Sequence, residues 1–190
     1  MSPMGRWQPG SRERLQGAAL ELFSEQGFER TTVAEIADRV GVTTRTFFRH
    51  FADKRDVLFA DTGQHERQLA DATAGAPAEL APLDAITAAI AGLDWREIAP
   101  RAAQRQRQMV IAASPELTER ELIKLNALTA AFANGLQRRG TEEATALLAA
   151  QTGLTVYRTA YRRWIDADTE TEIAHIIDAV LADLRAIVTA

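Results

Sequence analysis

The sequence predicts an all-α protein that has an N-terminal three-helix head and a larger C-terminal helical body, about nine helices in total. Apolar residues recur at helical spacing along most of the 190 residues, and glycine or proline marks several boundaries between these segments. Aromatic residues make up only 6% of the chain and alanine is abundant. This composition favours closely packed helices over sheets.

Composition limits the function classes. Cysteine is absent, which excludes disulfides, thiolate zinc sites and a cysteine nucleophile. No apolar run reaches 18 residues and the N-terminus is too polar for a signal peptide, so we expect a cytoplasmic protein without membrane contact. The net charge is −4, yet residues 1–60 carry +1 and the remainder −5. An acidic body behind a locally basic head favours approach to a polyanion by one end only.

The elements follow from capping and turn residues, taken in chain order. Residues 1–10 are expected to form a flexible arm, 11–56 the helical head, and 57–190 the helical body. The first helix should run from Ser11 to about Gln26 and end at Gly27. The residues expected to cap helix N-termini are Ser11, Thr32, Thr43, Asp53, Ser114, Thr141 and Thr169. The helices after the helix-turn-helix are predicted at 54–72, 83–93, 95–113 (with a break or kink at Pro100), 115–139, 141–166 and 171–188.

The segment Thr31–Phe51 reads TTVAEIADRVGVTTRTFFRHF. Thr32 and Glu35 have the spacing of a capping box, and Gly41 stands where a helix needs a left-handed residue after its end. Phe47 and Phe51 lie four residues apart and should share the inward face of the second helix. The segment therefore predicts two short helices joined by a glycine turn.

The opposite face of the second helix is polar at its N-terminal end, where Thr44, Arg45 and Arg49 should point outward. Residues 39–55 carry a net charge of +4. A helix anchored by its back, with a polar and basic front, is typical of major-groove reading. The alternative is an ordinary helical hairpin with a solvated basic face.

The stretch AALELFSEQGFERTTVAEIADRVGVTTRTFFRHFADKRDVLF, from Ala18 to Phe59, resembles the DNA-binding domain of the tetracycline-repressor (TetR) family of transcriptional regulators. Family members usually carry a tyrosine where Phe48 stands, and its hydroxyl contacts a phosphate, which Phe48 cannot do. In the family, positions corresponding to His50 and Lys54 commonly hold phosphates. Together with the outward residues above, the positions expected to bind DNA are Thr31, Thr32, Thr43, Thr44, Arg45, Phe48, Arg49, His50 and Lys54.

The resemblance implies that 11–56 is a helix-turn-helix DNA-binding domain and that 57–190 is a ligand-binding and dimerisation domain. It also implies a homodimer that presents two heads to a palindromic operator. The last two helices are apolar over a broad arc, which one neighbouring helix cannot cover. Residues expected at the dimer interface are Leu147, Leu154, Tyr161, Ile173, Ile177, Val180 and Leu184. The alternative is that both helices belong to the core of a single subunit.

Members of the family usually hold a small-molecule effector in the body. The candidate lining residues are Trp95, Gln108, Met109, Asn126, Phe132 and Tyr157, although residues of this kind are more often part of the core. Arg101, Arg105 and Gln108 share a helical face that could bind a carboxylate, but a solvated face is the favoured interpretation.

No catalytic or metal site is predicted, because none of the three histidines has a partner at ligand spacing. No cofactor is expected either. The predicted function is a ligand-responsive DNA-binding repressor that is not an enzyme. The alternatives are a helical small-molecule sensor or a protein-interaction module whose head does not bind DNA.

Overall fold

The structure, a computed structural model, describes residues 10–59, 62–93, 100–167 and 171–189. These residues form ten helical segments joined by turns, which confirms the all-α prediction. In chain order the helices are α1 (Ser11–Gln26), α2 (Val33–Arg39), α3 (Thr44–His50), α4 (Asp56–Phe59), α5 (Thr62–Ala74), α6 (Pro82–Ala91), α7 (Arg101–Ala112), α8 (Pro115–Arg138), α9 (Glu143–Asp166) and α10 (Ile173–Thr189). Residues 1–9 of the predicted arm, Trp95 and the predicted cap Thr169 lie outside the described residues.

The chain divides into two compact units at positions that differ from the predicted boundary. The head unit contains residues 10–59 together with 106–120, and the body unit contains the described residues of 62–105 and 121–189. The predicted boundary at residue 56 therefore omits a later segment of the chain from the head. Val110, Ile111 and Leu117 explain this segment's position, because all three are buried in the same apolar cluster as α1.

The head unit has a small apolar core with polar contacts around it. Its largest fully buried side chains include Leu15, Ile36, Phe47 and Val57. The segment 106–120 adds hydrogen bonds at the rim of this core. Arg107 Nε donates to the carbonyl of Leu58 over 2.9 Å, and Leu58 itself packs against the core.

The body unit is built on α6, α9 and α10, which pack against one another. Two glycines allow helices to approach closely. A Cβ on Gly153 of α9 would lie 2.7 Å from Cγ2 of Ile86 in α6. A Cβ on Gly135 of α8 would lie 2.6 Å from the carbonyl oxygen of Ala70 in α5. Since real Cβ atoms do not approach this closely, both contacts depend on the absence of a side chain.

Three residues predicted for the dimer interface instead belong to the core of the subunit. Ile173, Ile177 and Val180 are at most 6% exposed within the apolar cluster that joins α6, α9 and α10. They are covered by helices of their own chain and are not available to a partner. Of the other predicted interface residues, Leu147 is 49% exposed, and the half-buried ones are Leu154, Tyr161 and Leu184.

Several helix ends differ from the predicted caps. Gly10, not Ser11, occupies the N-cap of α1, and no side chain caps that helix. At α9 the carboxylate of Glu142, not the hydroxyl of Thr141, accepts from the amides of Ala144 and Thr145, at 3.0 and 3.1 Å. These hydrogen bonds hold the pKa of Glu142 below its ordinary value.

The start of α8 lies where it was predicted, but its serine has a different partner. The Ser114 hydroxyl donates to Glu29 Oε1 over 2.9 Å, so it ties the start of α8 to the turn after α1.

Across the described residues, none of the helices is both long and apolar enough to cross a membrane.

Candidate nucleic-acid interface

Helix α2 begins with the predicted capping box. The Glu35 amide donates to Thr32 Oγ1 over 3.2 Å, and the Thr32 amide donates to Glu35 Oε2 over 2.7 Å. The hydrogen bond from the Thr32 backbone is the main cause of a lowered pKa for Glu35. Reciprocal bonds of this kind satisfy two amides that a helix N-terminus leaves without partners. The box therefore fixes the first turn of α2.

The turn between α2 and α3 is closed by main-chain hydrogen bonds around Gly41. The amide of Val42 donates to the carbonyl of Ala37 over 3.0 Å, and the amide of Gly41 donates to the carbonyl of Asp38 over 3.1 Å. This pair of bonds is a Schellman motif, and it requires a left-handed residue at the position after the C-cap. Gly41 has φ +72°, as the motif requires.

Helix α3 is capped at one end and anchored along its back. Thr43 Oγ1 accepts from the amide of Thr46 over 3.2 Å, which confirms the predicted cap. Phe47 and Phe51 are almost completely buried, with their ring centroids 5.2 Å apart. Because these rings pack in the head core, the opposite side of α3 must face outward.

The outward face of α3 carries both cationic and apolar groups. Thr44, Arg45, Phe48 and Arg49 are all exposed, and the Phe48 side chain is 56% exposed. Arg45, Phe48 and Arg49 also border one open hollow of about 520 Å³. His50 is half-buried, and its Nε2 lies 3.5 Å from Arg49 Nη2. The arrangement places a hydroxyl, two guanidinium groups and an aromatic ring within two turns of helix.

The positive charge at this face is smaller than the sequence count of +4 indicates. Arg39 is paired with Glu25 at 3.1 Å and Glu21 at 3.5 Å. Arg55 bonds to Asp53, and also lies 3.2 Å from Glu116 of α8. Neither Arg45 nor Arg49 has an acidic partner among the described residues. These two guanidinium groups therefore supply most of the charge open to a phosphate or a base.

Lys54 has a structural task that the sequence did not reveal. Its Nζ donates to the carbonyl of Phe28 over 2.7 Å and to that of Thr31 over 3.0 Å. The same atom lies 4.0 Å from the centroid of the Phe28 ring. Two of its three N–H groups are thus used within the head. The ammonium ties the α1–α2 turn to the segment after α3, which differs from the predicted phosphate contact.

Thr31 is likewise not available as a surface hydroxyl. It is 1% exposed, and its Oγ1 donates to the carbonyl of Gly27 over 2.8 Å. Gln26 Nε2 donates to Thr31 Oγ1 over 3.2 Å. The predicted contact between this side chain and a phosphate is therefore wrong, because the hydroxyl is enclosed in the turn after α1. Thr32 and Thr43 are exposed, although their hydroxyls also serve as caps.

The predicted effector-pocket residues have unlike surroundings. Gln108 and Met109 belong to the head unit, and Met109 is 61% exposed. In the body unit, Phe132 is fully buried in the core, whereas Asn126 is exposed. Tyr157 is half-buried and stacks on Tyr161 with their centroids 6.1 Å apart. Trp95 lies outside the described residues. The effector pocket therefore stays a prediction.

The basic face of α7 is not simply solvated, which corrects the favoured interpretation. Arg101 donates to the carbonyl of Thr171 over 2.6 Å, and Arg105 donates to that of Ile165 through Nε at 2.9 Å. Between them, buried Gln104 accepts from the Tyr161 hydroxyl over 2.7 Å. A carbonyl in the last turn of a helix lacks an intrahelical donor. Arg105 therefore caps the C-terminal end of α9.

Comparisons with known proteins agree with this geometry. A Mycobacterium tuberculosis protein named as a mycofactocin biosynthesis transcriptional regulator, MftR, is 27% identical over 167 residues, which cover 86% of this chain and 84% of that protein. The regulator TcmR of Streptomyces glaucescens is 43% identical over 79 residues, or 42% of this chain and 35% of that protein.

Solved structures show the same fold. The SmeT–triclosan complex gives a TM-score of 0.60 at 20% identity, covering 92% of this chain and 91% of the other. SmeT is described as a repressor of a Stenotrophomonas maltophilia efflux pump. The fatty acid degradation regulator FadR of Bacillus halodurans gives 0.58 at 17% identity, covering 92% and 94%.

Two family models cover the chain in order. The model described as bacterial regulatory proteins of the tetR family matches residues 17–60, which include the whole helix-turn-helix. The model described as the MftR C-terminal domain matches residues 80–189, more than half of the chain. With a capped α2, a glycine turn and an anchored α3 inside the first match, the chain belongs to the TetR family of DNA-binding transcriptional regulators.

Proposed function

We propose that this regulator is a ligand-responsive repressor that binds a palindromic operator as a homodimer. The observation that carries the proposal is the outward face of α3. There Arg45 and Arg49 are exposed and have no acidic partner in the described part of the chain, while Phe47 and Phe51 anchor the helix from behind. A guanidinium group held in this way matches the two acceptors, O6 and N7, that guanine presents in the major groove.

Within this proposal the head residues have distinct tasks. Arg45 reads a guanine and Thr44 contacts a neighbouring base edge, since both lie in the first turn of α3. Arg49, His50 and the exposed hydroxyl of Thr43 contact the sugar–phosphate backbone and fix the register, whereas the Thr32 hydroxyl donates to Glu35 Oε2 over 2.8 Å. Lys54 holds the turn that supports α2 and α3 and does not serve as a primary phosphate contact.

A homodimer is supported by apolar side chains that the subunit leaves uncovered. Leu147 and Leu148 in α9 are 49% and 67% exposed, and Ile187 and Val188 in α10 are 76% and 77% exposed. Since an antiparallel helix pair places the start of one helix near the end of the other, these residues can form one surface. Leu148→Glu should therefore yield monomers in sedimentation, while Leu122→Glu, a change at a similarly exposed leucine of α8, should leave the dimer intact.

Release from DNA is proposed to follow a population shift. A small molecule that binds better to a dimer with altered head spacing favours that state and lowers operator affinity. Moving the population from mostly bound to mostly released requires a differential affinity of a few kcal/mol, up to about 5.5 for a nearly complete shift. SmeT, solved as a triclosan complex, provides a precedent for a small molecule bound to this fold.

The test is selection of bound fragments from random DNA by the purified protein, followed by affinity measurements on the selected sequence. Arg45→Ala should cost about 1–3 kcal/mol per half-site and relax the preference at one base position. Arg67→Ala removes an exposed arginine from α5 and serves as the matched control, with no change expected. Equal losses on selected and random DNA for Arg45→Ala would contradict base reading, and failure to enrich any palindrome would favour a protein-interaction module.

A further inference from the structure

Phe48 combines an apolar surface with a position on the DNA-reading face of α3. Among the described phenylalanine, tyrosine and tryptophan residues, it alone is more than half exposed, at 56%. The core does not require it, because Phe47 and Phe51 fill the inward face of the same helix. A single exposed apolar residue needs no explanation by itself. Its neighbours make this one informative.

The ring lies among the groups that are proposed to contact DNA. Arg45 precedes it by three residues and Thr44 by four, so all three occupy one face of α3. Arg45, Phe48 and Arg49 border the same open hollow. When the two guanidinium groups approach a duplex, the ring must approach it as well.

The orientation of the ring is held by the protein. Its centroid lies 5.5 Å from that of Phe47, with an interplanar angle of 83°, which is an edge-to-face contact. Phe47 is fully buried and therefore provides a fixed support. An aromatic ring has few rotatable bonds and loses little conformational entropy when its environment is already ordered. The exposed part of the ring is thus presented in a defined direction.

Chemistry restricts what this ring can recognise. Phenylalanine has no donor or acceptor, so it cannot hydrogen-bond to a phosphate or to a polar base edge. The thymine 5-methyl group is the apolar group that bases present in the major groove. We propose that Phe48 is a specificity-determining residue that contacts a thymine methyl group next to the guanine read by Arg45. This inference rests on the proposed DNA-binding function and names one further base in each half-site.

The test removes the methyl group alone. Deoxyuridine replaces each thymine of the selected operator in turn, symmetrically in both half-sites, which leaves every hydrogen-bonding group of the base in place. One buried methyl is worth about 0.8 kcal/mol, or about a four-fold change in affinity per half-site. The wild-type protein should therefore lose about 15-fold at one symmetric pair of positions and remain unchanged at the others.

The variants assign this loss to Phe48. In Phe48→Ala, the same thymine-to-uracil change should have no effect, whereas Phe48→Tyr keeps the ring and should keep the loss. Circular dichroism and thermal unfolding should show that both variants fold, because the replaced side chain is mostly exposed. Arg67→Ala serves as a matched control and should show the wild-type loss.

Three outcomes overturn the inference. One is an equal methyl effect in wild type and Phe48→Ala, and another is a selected half-site without thymine. The third is an equal weakening of operator and random DNA by Phe48→Ala, which would indicate contact with the sugars. In each case the wild-type protein still binds its operator, so the proposed function stands. Loss of specific binding by the wild type itself would overturn both.

Discussion

Replacing Lys54 with methionine keeps an unbranched side chain that is one atom shorter and removes the charge and all three donors. In the structure this ammonium donates to the carbonyls of Phe28 and Thr31 and lies 4.0 Å from the Phe28 ring centroid. A hydrogen bond from a charged group contributes about 1.5–3 kcal/mol, and a cation–π contact about 0.5–1 kcal/mol at an exposed site. Because Lys54 is half-buried and water replaces part of these contacts, the expected loss of stability is about 2 kcal/mol.

Two measurements check this expectation. The denaturant midpoint should fall, and amide hydrogen exchange should accelerate around residues 28–32, because the α1–α2 turn loses its tie to the segment after α3. Arg30→Met is the matched control, since Arg30 lies in the same turn but is exposed and bonds to the nearby carbonyl of Gln26. A change at such a site should stay within about 0.5 kcal/mol.

The opposite result would identify Lys54 as a phosphate ligand. In that case Lys54→Met would leave stability and exchange unchanged. It would instead lower the salt dependence of DNA binding by about 0.9 in the log–log slope for each protomer. That combination would refute the structural role, because a tether between two turns must change the free energy of unfolding.

Three further predictions concern glycines in the turns and helices and one capping carboxylate. Gly41→Ala should destabilise the head by about 1–2 kcal/mol, because Gly41 has φ +72°. Gly17→Ala, at a helical position with open space around it, should stabilise the head by up to about 1 kcal/mol. Denaturant unfolding of the two variants compares these effects. Gly135→Ala, which meets a backbone oxygen of α5, should lower the thermal midpoint more than Gly153→Ala, which meets a side chain of α6. Folding lowers the pKa of Glu142, so its ionised carboxylate stabilises the fold at pH values above the unfolded pKa. This stabilisation is lost as the pH falls through the folded pKa. Glu142→Gln should therefore weaken the pH dependence of stability below about pH 4.3.

Features that depend on a few neighbouring residues could be predicted from the sequence. The capping box of Thr32 and Glu35 and the glycine turn at Gly41 each involve groups within five residues of one another. Gly140 ends α8 through the same arrangement, with φ +87°. Local hydrogen bonding determines these features, so the residue types are sufficient to identify them.

The sequence did not show which groups pack or bond together when they lie far apart in the chain or when two neighbours compete. Val110, Ile111 and Leu117 have helical spacing whether they pack in the head or in the body, so periodicity did not show that they join the head core. The same limit applies to Ile177, whose apolar face fits a second subunit and a neighbouring helix of its own chain equally well. At α9 the sequence predicted Thr141 as the cap, whereas Glu142 has the extended backbone of an N-cap and its carboxylate accepts from the first amides.

Charge pairing has a consequence for how strongly one head can bind DNA. Every residue of 39–55 is described, and within this stretch Arg39 and Arg55 are neutralised by carboxylates while Lys54 is bonded to carbonyls. Within this stretch Arg45 and Arg49 remain as open cations, and of these Arg49 is proposed to contact a phosphate and Arg45 a base. Each phosphate contact contributes about 0.9 to the slope of log K against log salt, so this stretch should give a dimer a slope of about −2. A slope steeper than about −4 would mean that cations outside residues 39–55 take part. With so few contacts per head, strong binding requires both heads on one operator, which is the physical reason to expect a palindrome.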